Sequence, residues 1–93
     1  MLTHNTFFEG GVQSIGFERN GRRLTAGVID VGEFHFDTRA AERMTITSGE
    51  LLVCLAGHDS FAHYPAGTAF EVAANSGFLV KASAPTSYLC EFL

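Results

Sequence analysis

The sequence has few positive charges and no basic stripe. Six Lys and Arg residues stand against ten Asp and Glu residues, which gives a formal net charge of −4. Arg19, Arg22 and Arg23 form the one close cluster of cations, and their position around Asn20-Gly21 is typical of solvated charges at a turn. Because binding to nucleic acid depends on several cationic contacts with phosphates, we expect no nucleic-acid partner.

Long hydrophobic runs are also absent. The run at residues 51–56 is far shorter than the roughly 20 apolar residues of a membrane-spanning helix. Residues 1–5 lack the charged and apolar regions of a signal peptide. Cys54 and Cys90 lie within apolar, strand-like runs, which favours buried thiols over a disulfide. We therefore expect a cytoplasmic protein with no membrane partner.

Three common catalytic signatures are missing as well. The sequence contains no G-x-S-x-G nucleophile elbow, no cysteines paired at zinc-ligand spacing and no G-x-x-x-x-G-K phosphate loop. Any chemistry would therefore take place in a shaped polar pocket, without a covalent serine or cysteine intermediate.

What the sequence does contain is a succession of short β-type runs. Turn residues recur at short intervals, and the runs between them are rich in Val, Ile, Phe, Thr and Tyr. This pattern predicts an all-β fold, and the length of 93 residues predicts a single domain over residues 1–93. The segment Ser48-Gly49-Glu50 predicts a hairpin turn between strands near residues 44–47 and 51–55. A short helical turn is expected only at residues 39–42.

Composition also bears on assembly. The sequence is 46% hydrophobic, contains nine Phe residues and is only 17% charged. A monomer of this size has difficulty hiding so much apolar surface, so we expect a homodimer. A well-packed monomer remains the alternative.

The most informative motif is H-x-D-x4-E-x6-G, formed by His35, Asp37, Glu42 and Gly49. It is followed by P-x-G-x-x-F at residues 65–70. Together these segments resemble the two motifs of the cupin fold, which implies a small single-domain cupin-type β-barrel, similar to a jelly roll. In cupins that bind metal, the equivalent positions are usually His, His, Glu and His, whereas here the fourth is Phe70. We therefore expect no metal, although His35, Asp37 and Glu42 could still supply three ligands.

An alternative interpretation of these residues is structural. Strand alternation places Glu33, His35 and Asp37 on one face and Phe34 and Phe36 on the other. Polar residues on one face are typical of a half-solvated strand with no further role.

The whole chain resembles the pyrimidine/purine nucleoside phosphorylase family of small cupin-fold proteins. The similarity is carried by Phe8 and Gly10, by residues 12–17, 26–28, 32–34 and 42–49, and above all by the block Pro85-Thr86-Ser87-Tyr88-Leu89-Cys90. The resemblance implies that a broad range of purine and pyrimidine nucleosides react with phosphate to give free base and ribose 1-phosphate. No cofactor is implied, since phosphate is a co-substrate.

This chemistry suggests candidate residues. Carboxylates can orient ribose hydroxyls, stabilise a cationic sugar and protonate the departing base. The catalytic candidates are Glu42, which the motif places, with Asp37, His35 and Glu33.

Substrate binding requires other groups. Arg23 is the first candidate for phosphate because its guanidinium matches phosphate geometry, and nearby hydroxyls could assist it. Aromatic rings can stack on any base and so fit a broad specificity. The substrate-binding candidates are Arg23, Ser48, Thr38, Phe70 and Tyr88.

Two other functions are compatible with the same residues. One is a non-catalytic cupin that binds a small sugar or nucleoside in this pocket. The other is a metal-dependent cupin enzyme that uses His35, Asp37 and Glu42.

Overall fold

A computed structural model describes residues 1–93, and its regular secondary structure comprises ten β-strands and one 3₁₀ turn. The strands are β1 (Thr3–Phe7), β2 (Val12–Arg19), β3 (Arg22–Ile29), β4 (Gly32–Asp37), β5 (Glu42–Ser48), β6 (Glu50–Leu55), β7 (Ala62–Pro65), β8 (Ala69–Val72), β9 (Gly77–Ala82) and β10 (Thr86–Phe92). A 3₁₀ turn at Phe8–Gly10 links β1 to β2. The all-β prediction is therefore confirmed.

The strands form two antiparallel sheets. The larger sheet has six strands in the order β1-β2-β3-β10-β5-β8, and the smaller has four in the order β4-β9-β6-β7. Many neighbours in a sheet are distant in sequence, because the chain repeatedly crosses from one sheet to the other. The result is a jelly-roll-like sandwich, and the two sheets share no strand that would close them into one hydrogen-bonded barrel.

The β2–β3 connection is a tight hairpin. Asn20 and Gly21 both have positive φ angles, of 54° and 74°, as the mirror-image turns that match strand twist require. The register runs from Arg19 opposite Arg22 to Val12 opposite Ile29. The turn predicted at this position is confirmed, and its arginines lie on the surface.

The hairpin predicted at Ser48-Gly49-Glu50 is wrong. Strand β5 pairs with β10 and β8, whereas β6 pairs with β9 and β7. The segment is instead the corner at which the chain leaves the larger sheet for the smaller one. Gly49 has a φ of +89°, and an added Cβ would lie 2.6 Å from the Thr86 hydroxyl oxygen, so the corner requires glycine.

The helical turn expected at residues 39–42 is also wrong. Glu42 already begins β5, and the preceding residues form bends. The backbone N–H of Leu93 donates to the carbonyl of Ala41 at 2.9 Å, which continues the β10–β5 pairing beyond the strand end. Sheet pairing thus prevails over a weak local helical preference.

The core lies between the inner faces of the two sheets. Thirteen buried residues form one cluster, with Ile29, Ile46 and Val80 fully enclosed. Phe34 and Phe36 pack against this cluster while His35 and Asp37 are exposed, so the predicted alternation of β4 is confirmed and its aromatic face is the inner one.

Both cysteines are free thiols. Cys90 is buried, at 3% exposure, as expected, whereas Cys54 is only partly buried. The structure contains no helix with the length and apolar character that crossing a membrane would require.

Candidate functional site

A cavity of about 520 Å³ opens at one end of the sandwich, over the inner face of the larger sheet. It is walled by strands β1, β2, β3, β5 and β10 on one side and by the end of β4 with the following bend on the other. The principal lining residues are Asn5, Phe7, Phe8, Ser14, Arg23, Thr25, Phe36, Arg39, Glu42, Tyr88, Cys90 and Phe92.

Strand register brings the polar groups of this cavity together. Cys90 lies opposite Thr25 on β3 and opposite Met44 on β5, and Phe92 lies opposite Glu42. Because alternate residues of a strand share a face, Glu42 points to the same inner side as buried Met44. The larger sheet therefore carries a row of polar side chains across its inner face at the cavity end.

Glu42 is the carboxyl at the β5 end of this row. Burial raises its pKa above the ordinary value, and a hydrogen bond from the Cys90 thiol lowers it by a smaller amount. Burial, together with the nearby charge of Glu42, raises the pKa of Cys90 to about 12. The thiol is therefore neutral at physiological pH, and Glu42 retains its proton to a higher pH than a solvated glutamate.

Tyr88 lies farther along β10, flat against β3. It is opposite Gly27, and an added Cβ at Gly27 would lie 2.4 Å from the Tyr88 ring and 2.5 Å from its hydroxyl oxygen. The absence of a side chain at Gly27 lets the ring pass over β3 and bring its hydroxyl to Ser14 on β2. Burial raises the pKa of Tyr88 to about 12, so its hydroxyl stays protonated at physiological pH.

Two guanidinium groups border the cavity. Arg23 is exposed, and its Cζ lies 5.9 Å from the centroid of the Phe92 ring. Arg39 approaches from the bend after β4. On the β1 side, the Asn5 amide donates to the Ser14 hydroxyl at 3.5 Å. The opening thus combines cations with amide and hydroxyl groups, a set that suits an anion carrying oxygen acceptors.

His35 and Asp37 belong to the rim of the cavity. His35 Nδ1 lies 3.6 Å from Asp37 Oδ1, and the two side chains are 56% and 85% exposed. An added Cβ at Gly77 on β9 would contact both, which places the pair over the outer side of the smaller sheet. No group of three His, Cys, Asp or Glu side chains converges in the structure, because Glu42 faces inward and this pair faces outward.

Thr38 borders the cavity, but its hydroxyl already has structural partners. It donates to the carbonyl of Ala73 at 2.7 Å and accepts from the N–H of Ser76 at 3.0 Å. These bonds hold the end of β4 against the β8–β9 connection, and Thr38 is 6% exposed.

Three of the sequence candidates lie away from the cavity. Glu33 is exposed on β4, opposite Lys81, and Ser48 is exposed at the end of β5. Phe70 is 5% exposed, and its ring packs 4.9 Å from Tyr64 and 5.5 Å from Phe78. The structure therefore brings Arg23, Glu42 and Tyr88 together, with His35, Asp37 and Thr38 at the border, and leaves out Glu33, Ser48 and Phe70.

Several cavity residues were not predicted from the sequence. They are Asn5, Phe7, Phe8, Arg39 and Cys90. Alternation along the predicted last strand would have identified Cys90, since residues 88 and 90 share a face. The family resemblance includes Phe8 but does not mark it as a cavity residue, and no sequence signal distinguishes Phe7 from the other Phe residues among the nine.

The sandwich with a cavity at one end is the architecture of a cupin domain. An RmlC-like cupin from Shewanella frigidimarina superposes with a TM-score of 0.76 at 17% identity, covering 98% of this chain and 82% of that one. A protein of unknown function from Vibrio parahaemolyticus superposes with a TM-score of 0.97 at 40% identity, covering 100% of this chain and 99% of that one. The chain therefore has a jelly-roll-like cupin fold.

Sequence comparison identifies the family within this class. The model of the family described as "Pyrimidine/purine nucleoside phosphorylase" matches residues 2–92. A protein of that name from Anaeromyxobacter sp. (strain Fw109-5) is 68% identical over 93 residues, which are 100% of this chain and 89% of the relative. The chain belongs to the pyrimidine/purine nucleoside phosphorylase family.

Proposed function

We propose that this protein is a nucleoside phosphorylase of broad specificity. It converts a purine or pyrimidine nucleoside and phosphate into the free base and ribose 1-phosphate. Family membership supports the reaction class, and the observation that carries the proposal is the half-buried Glu42 carboxyl in a cavity bordered by Arg23 and Arg39.

The reaction requires one bond to form and one to break at the anomeric carbon of the ribose. A phosphate oxygen forms the new bond to C1′, and the electron pair of the broken bond remains on the base nitrogen. The base then takes up one proton. Charge develops on the sugar as in glycoside cleavage, so a carboxyl group close to the ribose and a proton donor close to the base are both useful.

Glu42 suits the role of proton donor. Its raised pKa keeps part of the population protonated at a pH where a solvated glutamate is ionised. The neutral Cys90 thiol beside it can donate a hydrogen bond once the proton has left. Asp37 and His35 at the rim then serve as secondary candidates for contacts with the ribose hydroxyls.

Phosphate is held by the cationic side of the cavity. Because the chain has a net charge of −4, attraction of an anion depends on local groups. Arg23 and Arg39 supply charge and a planar array of donors, and the hydroxyl of Tyr88 remains protonated and able to donate.

The test is release of free base from uridine and from guanosine by metal-stripped protein, with and without phosphate. Release only in the presence of phosphate is the expected result. Release without phosphate would indicate hydrolysis, and binding without release would favour the non-catalytic cupin.

A matched pair of variants tests the assignment of Glu42. We expect Glu42→Gln to lose about 100-fold or more in turnover, the usual contribution of general acid catalysis. Glu33→Gln makes the same chemical change outside the cavity and should leave turnover within twofold. Equal activity of Glu42→Gln and the wild type would remove Glu42 from the mechanism.

We also propose that the protein functions as a homodimer through the outer face of the larger sheet. Ile15, Ala26 and Leu89 lie side by side across β2, β3 and β10 on that face. Ile15 is 38% exposed and Val28 is 49% exposed, and both line a broad depression of about 720 Å³. A continuous apolar surface on a sheet is typical of an interface.

A further inference from the structure

The turn between β1 and β2 presents two neighbouring aromatic rings at the opening of the cavity. Phe7 and Phe8 both line the cavity, yet they remain 50% and 47% exposed. Side chains that are half-exposed and also line a cavity lie at its opening. Exposed aromatic rings at a concave opening are uncommon without a ligand to cover them.

The two rings have different surroundings. Phe8 stacks on Phe36 at 6.0 Å with an interplanar angle of 16° and lies 5.1 Å from Phe34. Phe36 in turn meets the buried Phe78 ring edge-on at 5.1 Å. Phe8 is therefore anchored to the core. None of the aromatic pairs in the structure includes Phe7, and half of its surface is exposed.

The backbone of the turn is held in an uncommon conformation. Phe8 and Glu9 have φ angles of 52° and 55°, and Gly10 follows with 93°. Two successive non-glycine residues in the left-handed region are rare, and such conformations persist where the surrounding structure imposes them, often at binding sites. Here the Phe8 stack on Phe36 supplies that restraint and so fixes the position of the preceding residue.

Strand alternation directs Phe7 toward the cavity. Phe7 lies opposite Val12, whose side chain is buried in the core, and it shares its face of β1 with Asn5, which bonds to Ser14. The Phe7 ring thus overhangs the inner face of the larger sheet, on which Glu42 lies.

We propose that Phe7 is the stacking platform for the nucleobase, with Phe8 as the positioning residue that holds it. This inference rests on the proposed function and adds to it the subsite that receives the base. An aromatic face accepts purines and pyrimidines alike because every base has a π face, which accounts for broad specificity without hydrogen-bond readout. The glycosidic bond then points inward, which directs the base nitrogen that accepts the proton, together with the ribose, toward Glu42.

The experiment compares Phe7→Ala, Phe7→Trp and Phe8→Leu with the wild type. Nucleoside binding is measured by calorimetry without phosphate, so that no turnover occurs, and kcat and KM are measured with phosphate. Leu52→Ala is the matched control, because Leu52 is a surface residue, 41% exposed, outside the cavity. Melting temperatures of all variants establish that they are folded.

We expect Phe7→Ala to weaken guanosine binding about tenfold or more, with a smaller loss for uridine because its base is smaller. Phe7→Trp keeps an aromatic ring and should bind guanosine as tightly as the wild type. The KM for phosphate should not change in either variant. Phe8→Leu should weaken binding by a smaller factor. If Phe7 had a purely structural role, Phe7→Trp would not retain guanosine affinity, and Phe7→Ala would weaken guanosine and uridine binding equally.

Unchanged guanosine affinity in folded Phe7→Ala would overturn the inference, as would loss of guanosine affinity in folded Phe7→Trp.

The stacking site and the phosphorylase activity fail in different ways. If wild-type protein releases base with phosphate while Phe7→Ala is unaffected, the stacking site is wrong and the phosphorylase stands. If guanosine binds through Phe7 but no base is ever released, the stacking site stands and the phosphorylase is wrong. If the wild type neither binds nor cleaves nucleosides, both are wrong.

Discussion

The half-buried position of the Glu42 carboxyl determines how that group responds to pH. Burial raises its pKa in the folded protein, so the folded state binds this proton more tightly than the unfolded chain does. The contribution of Glu42 to stability is therefore most favourable below the unfolded pKa of about 4.5 and is lost as pH rises through the higher folded value.

Glu42→Gln removes this titration. We expect the variant to be at least as stable as the wild type at neutral pH, because no charge is left to bury, while turnover is lost. Melting temperature measured from pH 4 to pH 8 should fall more steeply in the wild type than in Glu42→Gln over the range in which the buried carboxyl ionises. If the melting temperatures of the two proteins changed in parallel with pH, burial would not be what raises the pKa of Glu42.

Gly27 is a second residue whose role follows from one contact. An added Cβ would lie 2.4 Å from the Tyr88 ring, closer than any real Cβ contact, so Gly27→Ala must displace Tyr88 or the strand. We expect a loss of about 1–3 kcal/mol, the usual cost of overpacking. Thermal and denaturant unfolding measure it.

Gly16 on the neighbouring strand provides the control. An added Cβ there would meet its nearest atom at 3.7 Å, an ordinary contact, so Gly16→Ala should be neutral or slightly stabilising. In a Tyr88→Ala background the cost of Gly27→Ala should largely vanish, because the ring is gone. If Gly27→Ala lost the same stability in the wild type and in Tyr88→Ala, the strain would not come from contact with the Tyr88 ring.

At the scale of elements, local patterns predicted strands well and their partners poorly. Alternation in β4 correctly separated Phe34 and Phe36 from His35 and Asp37, because that periodicity is a property of the strand itself, but it did not indicate which face is the inner one. The pairing of β5 with β10 joins residues 39 to 50 positions apart, and nothing near Ser48 indicates that the chain changes sheets there. The same turn residues are found in a hairpin within one sheet and in a connection between two sheets.

Thr86 holds that corner together, and its replacement tests the link between the sheets. Its hydroxyl donates to the carbonyl of Glu50 at 3.0 Å and accepts from the N–H of Glu50 at 3.3 Å, which ties β10 of the larger sheet to β6 of the smaller one. Thr86 is 1% exposed, and Thr86→Val would remove the hydroxyl that pairs with the part-buried N–H and carbonyl of Glu50.

We expect Thr86→Val to lower the free energy of unfolding by about 1–3 kcal/mol. Thr86→Ser keeps the hydroxyl and loses one methyl group, so its loss should be smaller, at about 1 kcal/mol. Urea unfolding followed by fluorescence or circular dichroism measures both. A larger loss for Thr86→Ser than for Thr86→Val would assign the effect to packing.

At the scale of the whole molecule, the sequence motif located one end of the cavity and missed the other. Glu42 was placed by its spacing from His35, and it does line the cavity. Phe7 on the edge strand β1 and Arg39 in the bend after β4 reach the same cavity from segments that carry no motif. Residues that are brought together only by tertiary packing leave no local signal in the sequence.

Assembly is the remaining property of the whole molecule that the surface predicts. Only 20 of the 93 residues are buried in the isolated chain, which leaves much of a 46% hydrophobic sequence in contact with solvent. Part of this apolar surface lies on the outer face of the larger sheet, around Ile15 and Val28. Packing of that face against a second copy of the chain would remove this apolar surface from water.

We expect light scattering to give a mass of twice the 10.0 kDa chain. Ile15→Asp places a charge in the proposed interface and should give the monomer mass, because an unpaired charge is costly to bury. Leu52→Asp makes the same change on the outer face of the smaller sheet, where Leu52 is 41% exposed, and should leave the dimer intact. A monomeric wild type would contradict the dimer, and dissociation of Leu52→Asp but not of Ile15→Asp would move the interface to the smaller sheet.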